Sequence, residues 1–263
     1  MSAAPLLPIA DFDGLVLGPE RDARHGHAIT VNPFGSRAKI CSFNCGYCDL
    51  GVTETRLNKL KEAGALPSLS AITESLRDAL KQAHEVGPSF DAIIISGNGE
   101  PTLHPDFPAL ISEVRSLRDL WAKGKPIVVY TNGASLDQRK VVEALNLVDE
   151  RVVKIDAGNE RVFKLMNAPL ARVNLAKVLS GIKSLRDLTV QSLFIQGVID
   201  NTQANDVDDW IEVISMLKPK QVLIQGASRK TALSGIIRCD EDTLHMIASR
   251  LERRSGLRAH VSP

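Results

Sequence analysis

The sequence predicts an α/β protein built on a parallel sheet, and three observations carry that expectation. Short apolar runs alternate with amphipathic helical patterns along most of the 263 residues, the arrangement of strand–helix units whose strands lie parallel. Glycine, asparagine and charged residues gather just after the apolar runs, where parallel sheets place their chemistry. About six such units can be read, fewer than the eight of a closed barrel, so a partial (β/α)6 barrel is expected.

Residues 1–26 read as an irregular extension rich in Pro, Gly and Asp, with Arg21, Arg24 and His25 close together. Residues 27–263 read as a single domain, since no Gly-, Ser- or Pro-rich linker interrupts them. The run 27–31 is the first strand of the alternation and leads into a segment bearing three cysteines. Residues 52–66, with Arg56, Lys59, Lys61 and Glu62, form a charged connector. Ser70 is expected to cap a helix whose apolar face is Ile72, Leu76, Ala79, Leu80 and Ala83.

The run 92–95 reads as a fully buried strand, followed by a helix carrying Leu110, Val114, Leu117 and Trp121. Residues 126–131 form the next strand, closed by Asn132-Gly133, with a helix from about Leu136. A strand over 151–156 precedes a helix with Leu175, Val178, Leu179, Ile182 and Leu185. Residues 190–196 are a strand, followed by a helix carrying Val207, Trp210, Ile211, Ile214 and Leu217. The strand 221–225, a helix with Leu244, Ile247, Ala248 and Leu251, and a short strand at 258–261 complete the chain.

Composition narrows the function classes. The net charge is +1 with 24% charged residues, which gives no general polyanion-binding footprint. Aromatics make up only 4%, too few for a base-stacking platform. No apolar run approaches 18 residues, so no transmembrane helix is expected. The start lacks the basic and apolar stretches of a signal peptide, and a cytoplasmic location is expected.

Of the four cysteines, Cys41, Cys45 and Cys48 cluster in the spacing C-x3-C-x2-C, and Cys239 stands far away. A disulfide framework would distribute them in pairs. Soft thiolates select iron–sulfur clusters, zinc or copper(I), and three thiolates on a [4Fe–4S] cluster leave one iron free for another ligand. On spacing alone two other readings stand beside this one: a Cys3His zinc site using His25 or His27, and three incidental thiols.

Cys41-Ser-Phe-Asn-Cys45-Gly-Tyr-Cys48, just after the first strand of a half-open barrel, resembles the signature of the radical S-adenosylmethionine (radical SAM) superfamily. The resemblance covers roughly residues 27–226. Within the superfamily, the Cys45–Gly51 stretch and Gly99-Glu-Pro-Thr-Leu103 are most similar to the group related to wyosine-base tRNA synthetases. The resemblance implies a [4Fe–4S] cluster held by Cys41, Cys45 and Cys48, with S-adenosylmethionine chelating the open iron. It places Tyr47 near the adenine, contacting it partly through the backbone. Gly97, Asn98, Gly99 and Glu100 match the family's Gly-Gly-Glu motif, with Asn98 standing where the first glycine would be; that motif receives the methionine ammonium. Lys154 and Asp156 sit where the family has ribose and carboxylate contacts. Gln191 or Ser192 would add a polar contact, and Gln225 and Gly226 end a strand that passes the adenine. Asn132 is a candidate for a further cofactor contact, and Asn-Gly equally suits a tight turn.

The chemistry implied is reductive cleavage of S-adenosylmethionine to methionine and a 5′-deoxyadenosyl radical, which abstracts hydrogen from a substrate. It requires a low-potential electron donor of the flavodoxin or ferredoxin type. No residue is singled out as a catalytic acid, base or nucleophile. Four cysteines cannot supply an auxiliary cluster, and no room remains for a cobalamin domain of roughly 100 residues. Together with the neutral charge, these points favour a small or peptide-like substrate. The alternatives are a tRNA-modifying enzyme of wyosine type, a glycyl-radical-type activase and, in a different class, a non-enzymatic iron–sulfur or zinc module.

The remaining chemistry-bearing residues have simpler expectations. Cys239 reads as an ordinary thiol, His104 as a packing histidine, and Asp49 as orienting the cysteine loop or making a structural hydrogen bond. Arg250, Arg253, Arg254 and Arg258 read as a solvated face. Arg229 and Lys230 are better placed for a substrate carboxylate or phosphate. Trp121 and Trp210 read as core.

Overall fold

A computed structural model describes residues 14–35, 39–53, 66–170, 172–227 and 231–262. The connector residues Arg56, Lys59, Lys61 and Glu62, and the proposed substrate contacts Arg229 and Lys230, lie outside the described residues. The chain divides into two compact units. The first comprises Met1–Cys41, Thr53–Thr131 and Gln138–Arg151; the second comprises Ser42–Val52, Asn132–Asp137 and Val152–Pro263.

In the first unit β1 (Val16–Asp22) folds back antiparallel on β2 (Gly26–Val31). Residues expected to be irregular are therefore a strand from Val16 onward. The tight Asp22–Gly26 reversal makes this possible: Gly26 adopts φ +73, and Asp22 Oδ1 accepts from the Arg24 and His25 amides at 2.9 and 2.8 Å. β3 (Ala92–Ile95) runs parallel to β2, and β4 (Ile127–Thr131) runs parallel to β3. All four β3 residues are buried, as a continuous apolar run requires when a parallel strand is covered on both faces.

Helix α1 (Leu69–Glu85) buries Ile72, Thr73, Leu76 and Leu80. Its cap is Ser68 rather than Ser70: Ser68 Oγ accepts from the Ala71 amide at 3.2 Å, which places Ser70 inside the first turn. α2 (Phe107–Trp121) buries Phe107, Leu110, Ile111, Val114 and Leu117. Trp121, at the end of that helix, is half-buried rather than core and packs edge-on to His84. α3 (Arg139–Leu145) is a short helix starting after the expected Leu136.

β5 (Glu150–Lys154) carries the chain into the second unit. There β6 (Leu188–Gly197) pairs parallel with β7 (Gln221–Gly226), and β7 pairs parallel with β9 (Ala259–Ser262). β8 (Ile236–Arg238), which the alternation does not announce, pairs antiparallel with the end of β6. The helices are α4 (Glu160–Asn167), α5 (Leu175–Ile182), α6 (Ala204–Leu217) and α7 (Glu241–Ser255). Trp210 is 1% exposed, stands edge-on to Phe194 at 5.1 Å, and donates through Nε1 to the Ile155 carbonyl and to Ser192 Oγ. An aromatic pair of this geometry adds about 0.5–1.5 kcal/mol beyond area burial. Among the described residues no helix is long and apolar enough to cross a membrane.

Candidate active site

In the first unit the entry to the cysteine loop is laddered onto the turn after β3. The Ile40 amide donates to the Asn98 carbonyl at 2.8 Å, and the Glu100 amide donates to the Ile40 carbonyl at 2.9 Å. Cys41 follows directly. This contact is why glycine stands at position 99: its φ is +139, and a Cβ there would lie 1.7 Å from the Ile40 carbonyl oxygen. Gly97, at φ +133, would drive a Cβ to 2.5 Å from Asn32 Oδ1. Asn98 between them keeps a negative φ, so the backbone there tolerates a side chain. Its amide donates to Asn32 Oδ1 at 3.4 Å.

Glu100 is 2% exposed. Its Oε1 accepts from Thr131 Oγ1 at 2.7 Å, Thr102 Oγ1 at 2.6 Å and the Thr102 amide at 3.1 Å. Thr131 ends β4, so the carboxylate joins the turn after β3 to the end of the neighbouring strand. The sequence singles out neither threonine for this role, because Thr102 sits in the short turn Pro101–Leu103 and Thr131 at the end of β4, and only the fold brings them together. His104 is 2% exposed and pins the same turn, with Nε2 paired to the Pro67 carbonyl at 3.1 Å and Nδ1 accepting from the Asp106 amide at 3.2 Å. It packs as expected.

His25, the candidate fourth ligand of a zinc site, is committed elsewhere. Its Nδ1 pairs with Asp22 Oδ1 at 2.9 Å and its Nε2 with Glu150 Oε2 at 3.0 Å. Burial alone would push its pKa down, but these two carboxylate partners raise it to about 9. A doubly protonated ring offers a metal no lone pair.

In the second unit the rest of the cysteine loop is clipped to the end of α4. The last carbonyls of a helix lack intrahelical partners, and here loop amides supply them. Asn44 N donates to the Asn167 and Ala168 carbonyls, both at 3.1 Å, and Gly46 N donates to the Met166 carbonyl at 3.1 Å. The Leu170 amide donates to Ser42 O at 2.8 Å, and Phe43 stands edge-on to Phe163 at 5.5 Å. Within the loop the Cys48 amide donates to Cys45 O at 3.1 Å. Asn132 Nδ2 donates to Ser42 Oγ at 3.0 Å, while its Oδ1 accepts from the Ala134 amide at 2.9 Å, so it serves both loop and turn.

Tyr47, Lys154 and Asp156 come together in this unit. The Tyr47 hydroxyl donates to Asp156 Oδ2, and Lys154 Nζ stands 4.9 Å from the centre of the Tyr47 ring and 3.5 Å from Asp156 Oδ1. Asp156 Oδ1 also accepts from the Leu193 amide at 2.8 Å. Desolvation, and then the Asp156 charge, hold the Tyr47 phenol well above its usual range, so it remains a donor. The same two causes push the Cys45 thiol up. Asn167, unassigned from sequence, completes the group: its Nδ2 donates to Asp156 Oδ2 at 2.8 Å and lies 3.2 Å from the Tyr47 oxygen.

The alternation along β6 separates Gln191 from Ser192. Gln191 Nε2 donates to Gln225 Oε1 at 3.1 Å. Ser192 is fully buried on the other face, donating to the Ile155 carbonyl at 2.5 Å and accepting from Trp210. Of the two, Gln191 is the one on the face with Gln225. Gly226 lies close to the Cys239 carbonyl, where a Cβ would come to 3.3 Å. Cys239 is 1% exposed, and burial with the Asp200 and Asp240 charges pushes its thiol to about 12, an inert group. Three of the four C-terminal arginines are paired: Arg250 and Arg254 with Asp208, and Arg258 with Glu252, while Arg253 is exposed.

The donor set suits an iron–sulfur group. Cys41, Cys45 and Cys48 stand outside any disulfide, each half-buried, on a loop fixed by backbone hydrogen bonds. Among the described residues no three His, Cys, Asp or Glu side chains already stand grouped as metal ligands.

A family model described as the Radical SAM superfamily matches residues 36–219. The chain is 28% identical over 220 residues to a protein of Brachyspira hyodysenteriae named GTPase Obg, covering 82% of this chain and 30% of that one. It is 29% identical over 224 residues to a UPF0026 protein of Synechocystis sp. PCC 6803, covering 83% of this chain and 77% of that one. Among solved structures, a radical SAM methyltransferase from Sphaerobacter thermophilus superposes with a TM-score of 0.66 at 17% identity, covering 89% of this chain and 65% of that one. Streptococcus suis SuiB bound to precursor peptide SuiA gives 0.64 at 15% identity, with 89% and 48% covered. TYW1 with a lysine–pyruvate adduct gives 0.59 at 15% identity, with 87% and 74% covered. The chain thus spans less than a third of the Brachyspira relative and about half of SuiB. These likenesses show the fold.

Proposed function

The chain belongs to the radical SAM superfamily, and from that premise we propose that it is an enzyme using one [4Fe–4S] cluster and S-adenosylmethionine to act on a small or peptide-like substrate. Cys41, Cys45 and Cys48 would hold the cluster. When bound, the cluster supplies the electron for reductive cleavage of S-adenosylmethionine. The observation that carries this reading is the ladder joining Ile40 to the 98–100 backbone, which sets Cys41 beside the buried Glu100 turn.

Around the cofactor this chain's residues would bind and orient. The turn carrying Gly97, Asn98, Gly99 and Glu100 offers carbonyls and a carboxylate to an ammonium group. Tyr47, Lys154 and Asp156 form a rigid polar group for the nucleoside end, with Asn132, Gln191, Gln225 and Gly226 as further contacts. A flavodoxin- or ferredoxin-type donor would reduce the centre, and a cytoplasmic setting fits that partner. The pairing of Arg250, Arg254 and Arg258 with carboxylates favours a small or peptide-like substrate over tRNA.

Anaerobic reconstitution tests the reading. Wild-type protein is expected to turn brown, bind four irons per chain and release 5′-deoxyadenosine with dithionite and S-adenosylmethionine. Cys45→Ala is expected to abolish both cluster binding and cofactor cleavage. A colourless, zinc-loaded wild type with no affinity for S-adenosylmethionine overturns it.

A further inference from the structure

We infer that Asn167 is a positioning residue for the iron–sulfur centre, its side-chain amide donating an N–H···S hydrogen bond to Cys45 and thereby raising the cluster's reduction potential. The inference rests on the proposed cluster. The amide Nδ2 lies 3.5 Å from Cys45 Sγ, 3.2 Å from the Tyr47 oxygen and 2.8 Å from Asp156 Oδ2. Its orientation is dictated by its surroundings. An ionised carboxylate only accepts, so the NH2 end, not the carbonyl oxygen, must face Asp156. One hydrogen is taken by that carboxylate, and the other is directed at the phenol oxygen and the sulfur.

Tyr47 has its own use for its proton, donating to Asp156 Oδ2, and its oxygen is a neutral acceptor. The sulfur is the acceptor whose strength changes. As a cluster ligand Cys45 is a thiolate, and charge-assisted hydrogen bonds are roughly twice as strong as neutral ones. Asn167 is 4% exposed, so little water competes for the contact.

Position fixes the bond as well as chemistry does. Asn167 closes α4, and its own carbonyl accepts from Asn44 N at 3.1 Å, one residue before Cys45. Helix end and ligand loop are thus pinned together by backbone, with the amide held over the sulfur. Reduction adds negative charge to the cluster and its sulfurs. A donor to sulfur stabilises the reduced state more than the oxidised one, which is how hydrogen bonding tunes such centres. The adjacent Asp156 charge opposes reduction, and the Asn167 amide, shared between that carboxylate and the sulfur, offsets part of that repulsion.

The experiment compares wild type, Asn167→Leu and Asn167→Gln after anaerobic reconstitution, by EPR-monitored dithionite titration without substrate. Asn167→Leu is expected to hold the cluster with unchanged iron content and with the reduced-to-oxidised ratio at a fixed potential about tenfold lower, a downward shift of about 59 mV for a one-electron couple. Asn167→Gln, which keeps a donor, is expected to recover much of that loss. An unchanged potential in Asn167→Leu with iron content intact overturns the inference while leaving the cluster reading standing. If wild type itself takes up no cluster, the cluster reading fails first, and the iron content shows it. Should Asn167→Leu fail to fold, Asn167→Ala carries the test: it removes the donor without adding a charge, and a potential equal to wild type with iron content intact overturns the inference.

Discussion

At Glu100 two requirements meet in one residue. Its carboxylate must be held still and must keep its charge. Three donors converge on Oε1, from Thr102 and Thr131, so the side chain has little freedom left. Removing the whole side chain would strand two buried threonine hydroxyls at about 1–3 kcal/mol each, mixing stability with binding. Glu100→Gln keeps the shape and an accepting oxygen and removes only the charge. A hydrogen bond to a charged group contributes about 1.5–3 kcal/mol, so S-adenosylmethionine is expected to bind Glu100→Gln roughly ten- to a hundredfold more weakly, with iron content unchanged. Titration calorimetry of the reconstituted proteins reads this directly; equal affinities would show that the motif is misplaced. The glycine pattern around Glu100 is explained at the same scale. Gly97 and Gly99 hold left-handed backbone, whereas the position of the substituted Asn98 does not.

At the scale of elements, the β1–β2 hairpin carries a pH-dependent clamp. His25 in its turn pairs with Asp22 and with Glu150 at the start of β5. Its proton is held more tightly in the folded chain, with a pKa of about 9, than at the ordinary 6.5. The folded state therefore binds more protons between these values, and stability falls as pH rises through that window. Urea denaturation is expected to show wild type losing about 1–2 kcal/mol more than His25→Gln between pH 6 and pH 9.5. Parallel pH dependence in the two proteins would refute the clamp. Asp22 acts at the other end of the scale: its hydrogen bonds from His25 and the Arg24 amide hold its carboxyl below 3.8 despite burial, so its contribution is lost only in acid. The Glu150 arm of the clamp is not visible in sequence, because Glu150 is 125 residues from His25. The strands of the alternation were legible from their apolar runs and end punctuation, as in 92–95 and 221–225, whereas β1 and β8 were not. α4 was not. It has eight residues, and its apolar set Val162, Phe163 and Met166 is too short to establish a period. The Asn159 cap, accepting from Val162 N at 2.9 Å, was the signal available. Missing α4 meant missing Asn167, which only the fold brings to Cys45 and Asp156.

At the scale of the molecule, charge bears on which of the proposed substrate classes the protein takes. A net charge of +1 spread over 32 basic and 31 acidic residues leaves any polyanion footprint to local clusters. Three arginines of the densest such cluster, on and after α7, are answered by acids, with Arg253 exposed beside them: Asp208 takes Arg250 and Arg254, with Glu212 4.0 Å from Arg254, and Glu252 takes Arg258. A paired arginine must give up its carboxylate before it neutralises a phosphate, and nucleic-acid affinity comes largely from counterions released by unpaired cations. Non-specific binders reach dissociation constants of about 10⁻⁴–10⁻⁶ M at physiological salt and bind far more tightly at low salt. The reconstituted protein at about 10 μM is therefore expected to leave unmodified tRNA unshifted in a native gel at 50 mM salt. A shift that disappears steeply as salt is raised would instead require a basic surface capable of releasing several counterions. Arg229 and Lys230, just past β7, and the exposed Arg253 would then be the first residues to change to alanine, ahead of the paired arginines. In that outcome the substrate class moves from small molecule or peptide to RNA, while Cys41, Cys45, Cys48 and Glu100 keep the roles proposed for them.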